Sequence, residues 1–313
     1  MPTSGTFPSL TIGVFPMRSR TLSTTLKPIP ALLGRDSGII LSIHSHKGYY
    51  CMDGNPSGVQ LPMMPEGDPN EFTRILYGCE ADEIAEVVLL TPMDSTLESL
   101  KLKAENVTEF KGFNHGFSGT YGGKEVSVFN SRIGSPVASD CVYYLRFTPC
   151  KSVVYTGLIG SLQPSIRIGD IIIPSAAVRG EGASKYFIEE AYPAVADFSL
   201  LKALSSTLEE ACADLDVNIH IGPIYTTDSF AAETKEFLEL WRSRNLLGIE
   251  METSAIYTIA SLYGIKAASV HIVSDNPVVK KSFFDPLSKE DEERKGICTE
   301  LLMDVLVKLV GRI

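Results

Sequence analysis

Glu250, Met251 and Glu252, followed further along the chain by Ser274, Asp275 and Asn276, are the residues here best suited to chemistry. A carboxylate can accept hydrogen bonds from the two hydroxyls of a sugar diol. A partly buried carboxylic acid can hand its proton to a departing nitrogen base. The residues from Met251 to Tyr263 carry Met251, Ala255, Ile256, Ile259, Ala260, Leu262 and Tyr263 at helical spacing, and Gly264 is placed to stop the helix. A helix that is apolar on most sides is buried, so acids in its first turn sit at the wall of a core. Glu250 and Glu252 could simply complement the unpaired N–H groups at that helix start. The next apolar run, residues 267–273, leads straight to Asp275. Three acids then converge on one sheet edge, which favours a site.

The elements needed to position these acids are legible around them. Residues 86–91 form an apolar run suited to a strand covered on both faces. A hairpin is expected between residues 119 and 129, with Gly122-Gly123 as its turn. Further strands are expected at residues 152–156, running into Gly157-Leu158-Ile159-Gly160, and at residues 170–174. Helices are expected over residues 198–215, 233–244 and 290–310. Alternating strands and helices predict an α/β fold, a three-layer αβα sandwich with a central mixed sheet. Ligands of such sheets bind at the carboxyl ends of strands, where Gly160, Ser274 and Asp275 lie.

Residues 1–80 differ in character and read as an N-terminal extension of short strands and turns, followed by a catalytic domain over residues 81–313. The first 35 residues contain no Asp or Glu and carry Arg18, Arg20, Lys27 and Arg35 among Ser, Thr and Pro. That composition is compatible with organellar targeting, although Pro8, Pro16, Pro28 and Pro30 spoil an amphipathic helix, and a structural arm is the commoner explanation. His44 and His46 share one face of a short strand, but two histidines without a third ligand do not make a metal site. Residues 62–68 read as a linker.

Composition narrows the class. A net charge of −10 over 313 residues argues against a general nucleic-acid binder, since nothing offers a basic surface that tracks phosphates. Six cysteines without CxxC spacing fit reduced thiols in a cytoplasmic protein better than a disulfide framework or zinc site. No stretch is long and apolar enough to be read as a membrane span, and no metal or organic cofactor is implied.

Taken together, Gly134-Ser135-Pro136, the run from Gly157 to Pro164, Ile168-Gly169-Asp170-Ile171, the run from Val178 to Ser184, Glu250-Met251-Glu252 and Val273-Ser274-Asp275-Asn276 resemble the nucleoside phosphorylase/nucleosidase superfamily. The resemblance covers roughly residues 85–313 and implies cleavage of an N-ribosidic bond on a single αβα domain. By that resemblance Asp275 protonates N7 of a leaving purine, with Ser274 as its neighbour. Glu252 bonds the ribose hydroxyls, Met251 packs under the sugar, and Phe230 stacks on the base. The family's Gln and Arg pair for uracil is absent after Phe230, which points to a purine nucleoside or nucleotide. The resemblance also implies a homo-oligomer, a dimer or trimer of dimers.

The departures concern the attacking group. Phosphorolytic members carry a Gly-Asp-Pro-x-x-Arg-like loop after the first strand, where this chain has Thr91-Pro92-Met93-Asp94-Ser95-Thr96. They carry Arg-x-Gly-Ser/Thr where this chain reads Tyr155-Thr156-Gly157-Leu158. Two lost guanidinium groups forfeit charge-assisted bonds of about 1.5–3 kcal/mol each. The pattern is most similar to the AMP nucleosidase branch, so hydrolysis is the leading expectation, with Asp94, Glu98, Glu181 or Glu250 as candidate activators of water. Arg179 is a candidate contact for a 5′-phosphate or else an ordinary structural arginine. The alternatives are phosphorolysis with a phosphate site rebuilt around Arg132, and an inactive nucleoside-binding relative.

Overall fold

The computed structural model describes residues 68–313. The expectations for residues 1–67, including the targeting or arm segment, the strand with His44 and His46 and most of the linker, lie outside the described residues.

Strand β1 (Val87–Thr91) is buried along its whole length, as its unbroken apolar run requires of a strand covered on both faces. Its side chains alternate: Val87 and Leu89 join one hydrophobic cluster, Val88 and Leu90 the other. The first cluster includes residues of α2 (Asp94–Leu102), α4 (Phe198–Cys212) and α7 (Lys289–Val310). The second includes residues of α3 (Ser135–Leu145) and α6 (Thr253–Leu262). Helices therefore cover both faces of the sheet, which makes the three layers of the expected αβα sandwich.

The sheet is mixed. β1 pairs in parallel with β4 (Lys124–Asn130) and with β5 (Ser152–Ser161). Beyond β4 lie β3 (Gly116–Tyr121) and β2 (Glu105–Phe110), both antiparallel to their neighbours. The β3–β4 turn is Gly122-Gly123, both at positive φ (57° and 81°), as the expected tight hairpin demands. On the other side, β10 (Lys266–Asp275) pairs with β5 and also with β6 (Ile171–Arg179). The short β7 (Ala194–Val195) adds to β6. From β6 the order continues through β8 (Ile219–Thr226) and β9 (Gly248–Glu250) back to β5. Five strands thus curl into a closed ring, a feature the linear pattern of apolar runs does not contain.

Two boundaries differ from expectation. The helix expected from Met251 begins at Thr253, because Glu250 belongs to β9, which pairs with both β5 and β8. Part of the N-terminal extension is also helical. α1 (Pro69–Leu76) is capped by Asp68, stacks Phe72 on Tyr144 at 5.2 Å, and leads into the fully buried Tyr77. α5 (Lys235–Ser243) and α7 lie where helical periodicity placed them, and Gly264, at φ 70°, closes α6.

Asp170 locks the ring to α7. Its fully buried carboxylate accepts from Arg294 Nη2 (2.9 Å) and from the Arg167 N–H (2.9 Å), and it meets His220 Nε2 (3.2 Å). Burial disfavours its charge, but His220 and the backbone donors outweigh that and hold the acid below the ordinary carboxylate range. Asp170→Ala leaves Arg294, itself mostly buried, without this partner. The expected cost is about 3–5 kcal/mol of stability, checked by urea denaturation of the two proteins. A loss below about 1 kcal/mol would mean the cluster behaves like a surface pair.

Candidate active site

The two acids flanking Met251 have different roles. Glu250 Oε2 accepts from the backbone N–H groups of Glu252 and Thr253 (2.8 Å each), and its Oε1 accepts from Thr226 Oγ1 (2.5 Å). It therefore satisfies the orphan donors that start α6, the structural role available to an acid there. Glu252 sits at the cap position but makes no side-chain cap. Its Oε1 accepts from the Gly134 N–H (2.6 Å) and its Oε2 from the Tyr155 hydroxyl (2.8 Å). Gly134, at φ 103°, starts α3, and Ser135 Oγ donates to the Met251 carbonyl (2.6 Å), so α3 and the turn before α6 are tied together. Burial and the neighbouring Glu250 both disfavour ionisation of Glu252 and push it to about 8, against the donors at Gly134 and Tyr155.

Asp275 ends β10 across from Gly160. The β5–β10 register slips between Val273 and Asp275, a bulge that brings the acid beside Gly160. A Cβ at Gly160 would lie 3.4 Å from Asp275 Oδ2, so the glycine keeps the space beside the acid open. Ser274 Oγ donates to Asp275 Oδ1 (2.7 Å). Burial raises the acid, while the Ser274 bond, the charge of Lys295 and the Phe283 backbone N–H work the other way. An acid whose ionisation is disfavoured by burial is the kind that can donate to a leaving group. Phe230 lies on a one-turn helix (Phe230–Ala232) and is 56% exposed, with its ring 6.0 Å from Phe284. It is a surface aromatic beside the β10 terminus rather than core filler.

A second polar cluster joins the start of α2 to the loops after β2 and β4. Asp94 Oδ1 accepts from Asn130 Nδ2 (2.6 Å) and meets His115 Nε2 (2.9 Å). The Asn130 bond, and then His115, hold Asp94 below the usual carboxylate range. Arg132 adopts a left-handed conformation (φ 60°), with Nε and Nη2 donating to the Phe113 carbonyl and Nη2 3.2 Å from His115 Nδ1. Nη1 of Arg132 makes no hydrogen bond among the described residues.

Four sequence candidates have their polar groups engaged by partners within the fold. Arg179 is buried and donates to Ser184 Oγ and to the carbonyls of Ile188, Glu189 and Tyr192, so it braces the loop after β6 and is not held free for a substrate phosphate. Glu181, fully buried, accepts from the Ser184 N–H and from Ser254 Oγ, clasping that loop to α6 instead of facing a ligand. Glu250 is spent on the turn before α6. Glu98 pairs with Lys101 on α2, an exposed bond between neighbouring turns. Among the candidate activators of water, Asp94 is the one that opens α2 beside Asn130 and His115. Tyr155, as a partner of Glu252, and the Asn130–His115 pair carry no sequence signal of their own, since the strands that bring them together are distant in the chain.

The sequence profile of the phosphorylase superfamily matches residues 86–310. The chain is 30% identical over 219 residues to the guanosine phosphorylase of Halorubrum lacusprofundi, covering 70% of this chain and 79% of that one. It is 35% identical over 210 residues to the DeoD-type purine nucleoside phosphorylase of Caldanaerobacter subterraneus subsp. tengcongensis, covering 65% and 88%. Among solved structures it is similar to uridine phosphorylase from Vibrio fischeri, with 26% identity, a TM-score of 0.65 and coverage of 74% and 95%. These relatives are named phosphorylases, so they lend no support to the expectation of hydrolysis or to the AMP nucleosidase branch in particular. With the profile spanning the whole sheet and the acids at Glu252 and Asp275 in place, the chain belongs to the phosphorylase superfamily and is an enzyme of the group that cleaves the N-glycosidic bonds of nucleosides.

Proposed function

We propose that this protein cleaves the N-ribosidic bond of a purine nucleoside by phosphorolysis, with residues 81–313 as the catalytic domain and residues 1–80 as an extension. The observation that carries the reading is the pair of buried acids: Glu252 held between Gly134 and Tyr155, and Asp275 beside Gly160. Glu252 takes the ribose hydroxyls, Met251 lies under the sugar and Phe230 stacks on the base. Asp275 gives its proton to N7 as the C1′–N9 bond breaks and its electron pair goes to the base. An oxygen of phosphate then bonds to C1′. Arg132, with Nη1 uncommitted among the described residues, supplies the cation for the acceptor, and the names of the relatives support phosphate in that role. Phe113 and Ile133 beside it are exposed (54% and 69%), the kind of apolar rim that a second subunit of a homo-oligomer covers.

Hydrolysis is the second reading, favoured by Asp94 at the start of α2 and by Tyr155 in place of an arginine. Incubating adenosine, inosine, AMP and methylthioadenosine with and without phosphate separates the two. Phosphorolysis gives ribose 1-phosphate, or its substituted analogue, and base release that depends on phosphate. Free ribose at an equal rate without phosphate would overturn it in favour of water.

A further inference from the structure

Tyr155 lies on β5 with 1% of its surface exposed, and its hydroxyl donates to Glu252 Oε2 (2.8 Å). A buried hydroxyl needs such a partner, and its single proton is committed to this one. The ring is packed in the cluster that includes α3 and α6, and it meets the His271 ring of β10 edge-on, with centroids 5.5 Å apart at 67°. His271 Nε2 is in turn 3.0 Å from Thr253 Oγ1, at the first residue of α6. A ring enclosed in this way cannot change rotamer without displacing its neighbours. Two residues on, Gly157 faces the same side of the strand. A Cβ there would lie 3.3 Å from the Tyr155 hydroxyl oxygen and 3.5 Å from Pro92 of the loop after β1, so the glycine leaves this oxygen uncrowded.

We propose that Tyr155 is a positioning residue of the sugar subsite, whose hydroxyl fixes Glu252 so that both carboxyl oxygens meet the ribose 2′- and 3′-hydroxyls together. The inference rests on the reading of Glu252 given above. The carboxyl group has one tether on each oxygen, the Gly134 N–H on Oε1 and the Tyr155 hydroxyl on Oε2. A single tether lets the carboxyl plane turn about it, whereas two set its orientation. Each oxygen has room for more than one hydrogen bond, so each can still meet one hydroxyl of the diol. Two adjacent hydroxyls match two oxygens held in one plane. A sugar without them gains nothing from that orientation. Misplacement of such a group costs rate because productive geometry is exacting.

Tyr155→Phe removes the hydroxyl and keeps the ring that packs on His271. Kinetics on adenosine and 2′,3′-dideoxyadenosine separate positioning from structure. The variant should lose about 10–100-fold in kcat/KM for adenosine. For the dideoxy sugar, which has no diol for Glu252 to take, the loss should be no more than about threefold. Equal losses on both substrates would make Tyr155 a structural residue and overturn the assignment. Calorimetry with a carbon-linked adenosine analogue, which cannot be cleaved, reads the same contrast without turnover. The wild type should bind it at least about tenfold more tightly than its 2′,3′-dideoxy form, and Tyr155→Phe should bring that ratio to within about threefold. Equal binding of the two by the wild type would overturn the proposal even if the variant failed to fold. A hydroxyl contrast that Tyr155→Phe abolishes, in a protein that cleaves no nucleoside, refutes the reaction and leaves the positioning role standing. Nucleoside cleavage with equal losses on both sugars does the reverse.

Discussion

Asp275→Asn should lower kcat/KM for adenosine by about 10²–10⁴-fold, the usual worth of a positioned general acid. A nucleoside already methylated at N7 should be spared. Its base carries the positive charge that Asp275 otherwise supplies, so no proton is needed for the C1′–N9 bond to break. The fold should survive, because the asparagine is nearly isosteric and retains an oxygen for Ser274 Oγ. Steady-state kinetics on the two substrates decide the matter. An equal loss on both would assign Asp275 to binding or structure instead of to proton donation. The bulge that brings Asp275 beside Gly160 is the reason for expecting a specific chemical defect.

The second large effect concerns Glu252. Glu252→Gln keeps one oxygen for Tyr155 or Gly134 but sets an amide NH2 against the other donor, so the side chain that takes the ribose hydroxyls loses one of its two tethers and an acceptor oxygen. The expected loss is about 10²–10³-fold in kcat, the scale of one preorganised electrostatic contact made in the transition state. The same variant has a signature in stability. The acid is raised to about 8 in the folded protein against an ordinary value of 4.5. In that window the unfolded chain has released the proton and the folded chain still holds it. Stability from this group is therefore fully present below the ordinary value and is lost as pH rises toward about 8. The slope is at most about 1.4 kcal/mol per pH unit for one group. Thermal melts at pH 5 and pH 8 should show a larger fall for the wild-type protein than for Glu252→Gln. Parallel curves would mean that Glu252 is ionised in the folded state at neutral pH. A fall in KM together with kcat would point to ground-state strain rather than lost transition-state binding.

Periodicity alone sufficed for the strands at β1 and β10, the glycine hairpin and the long C-terminal helix, because burial on both faces and turn geometry impose local patterns. The motifs around Glu252 and Asp275 were equally visible, since the acids sit at an abrupt change from apolar to polar residues. What spacing could not separate was Glu250 from Glu252. Both precede the same helix, and only the path of β9 shows that the first is spent on backbone N–H groups while the second faces Tyr155 and Gly134. Arg179 is a similar case. As an arginine in a glycine-rich segment it reads equally as an anion contact or a structural arginine, and the carbonyls it braces come from the following loop. The sequence by itself determined which residue types, in which order, make this an N-ribosidase scaffold. Which carboxyls are left free to act was decided by the ring of β10, β6, β8, β9 and β5, since hydrogen-bond satisfaction depends on strands far apart in the chain.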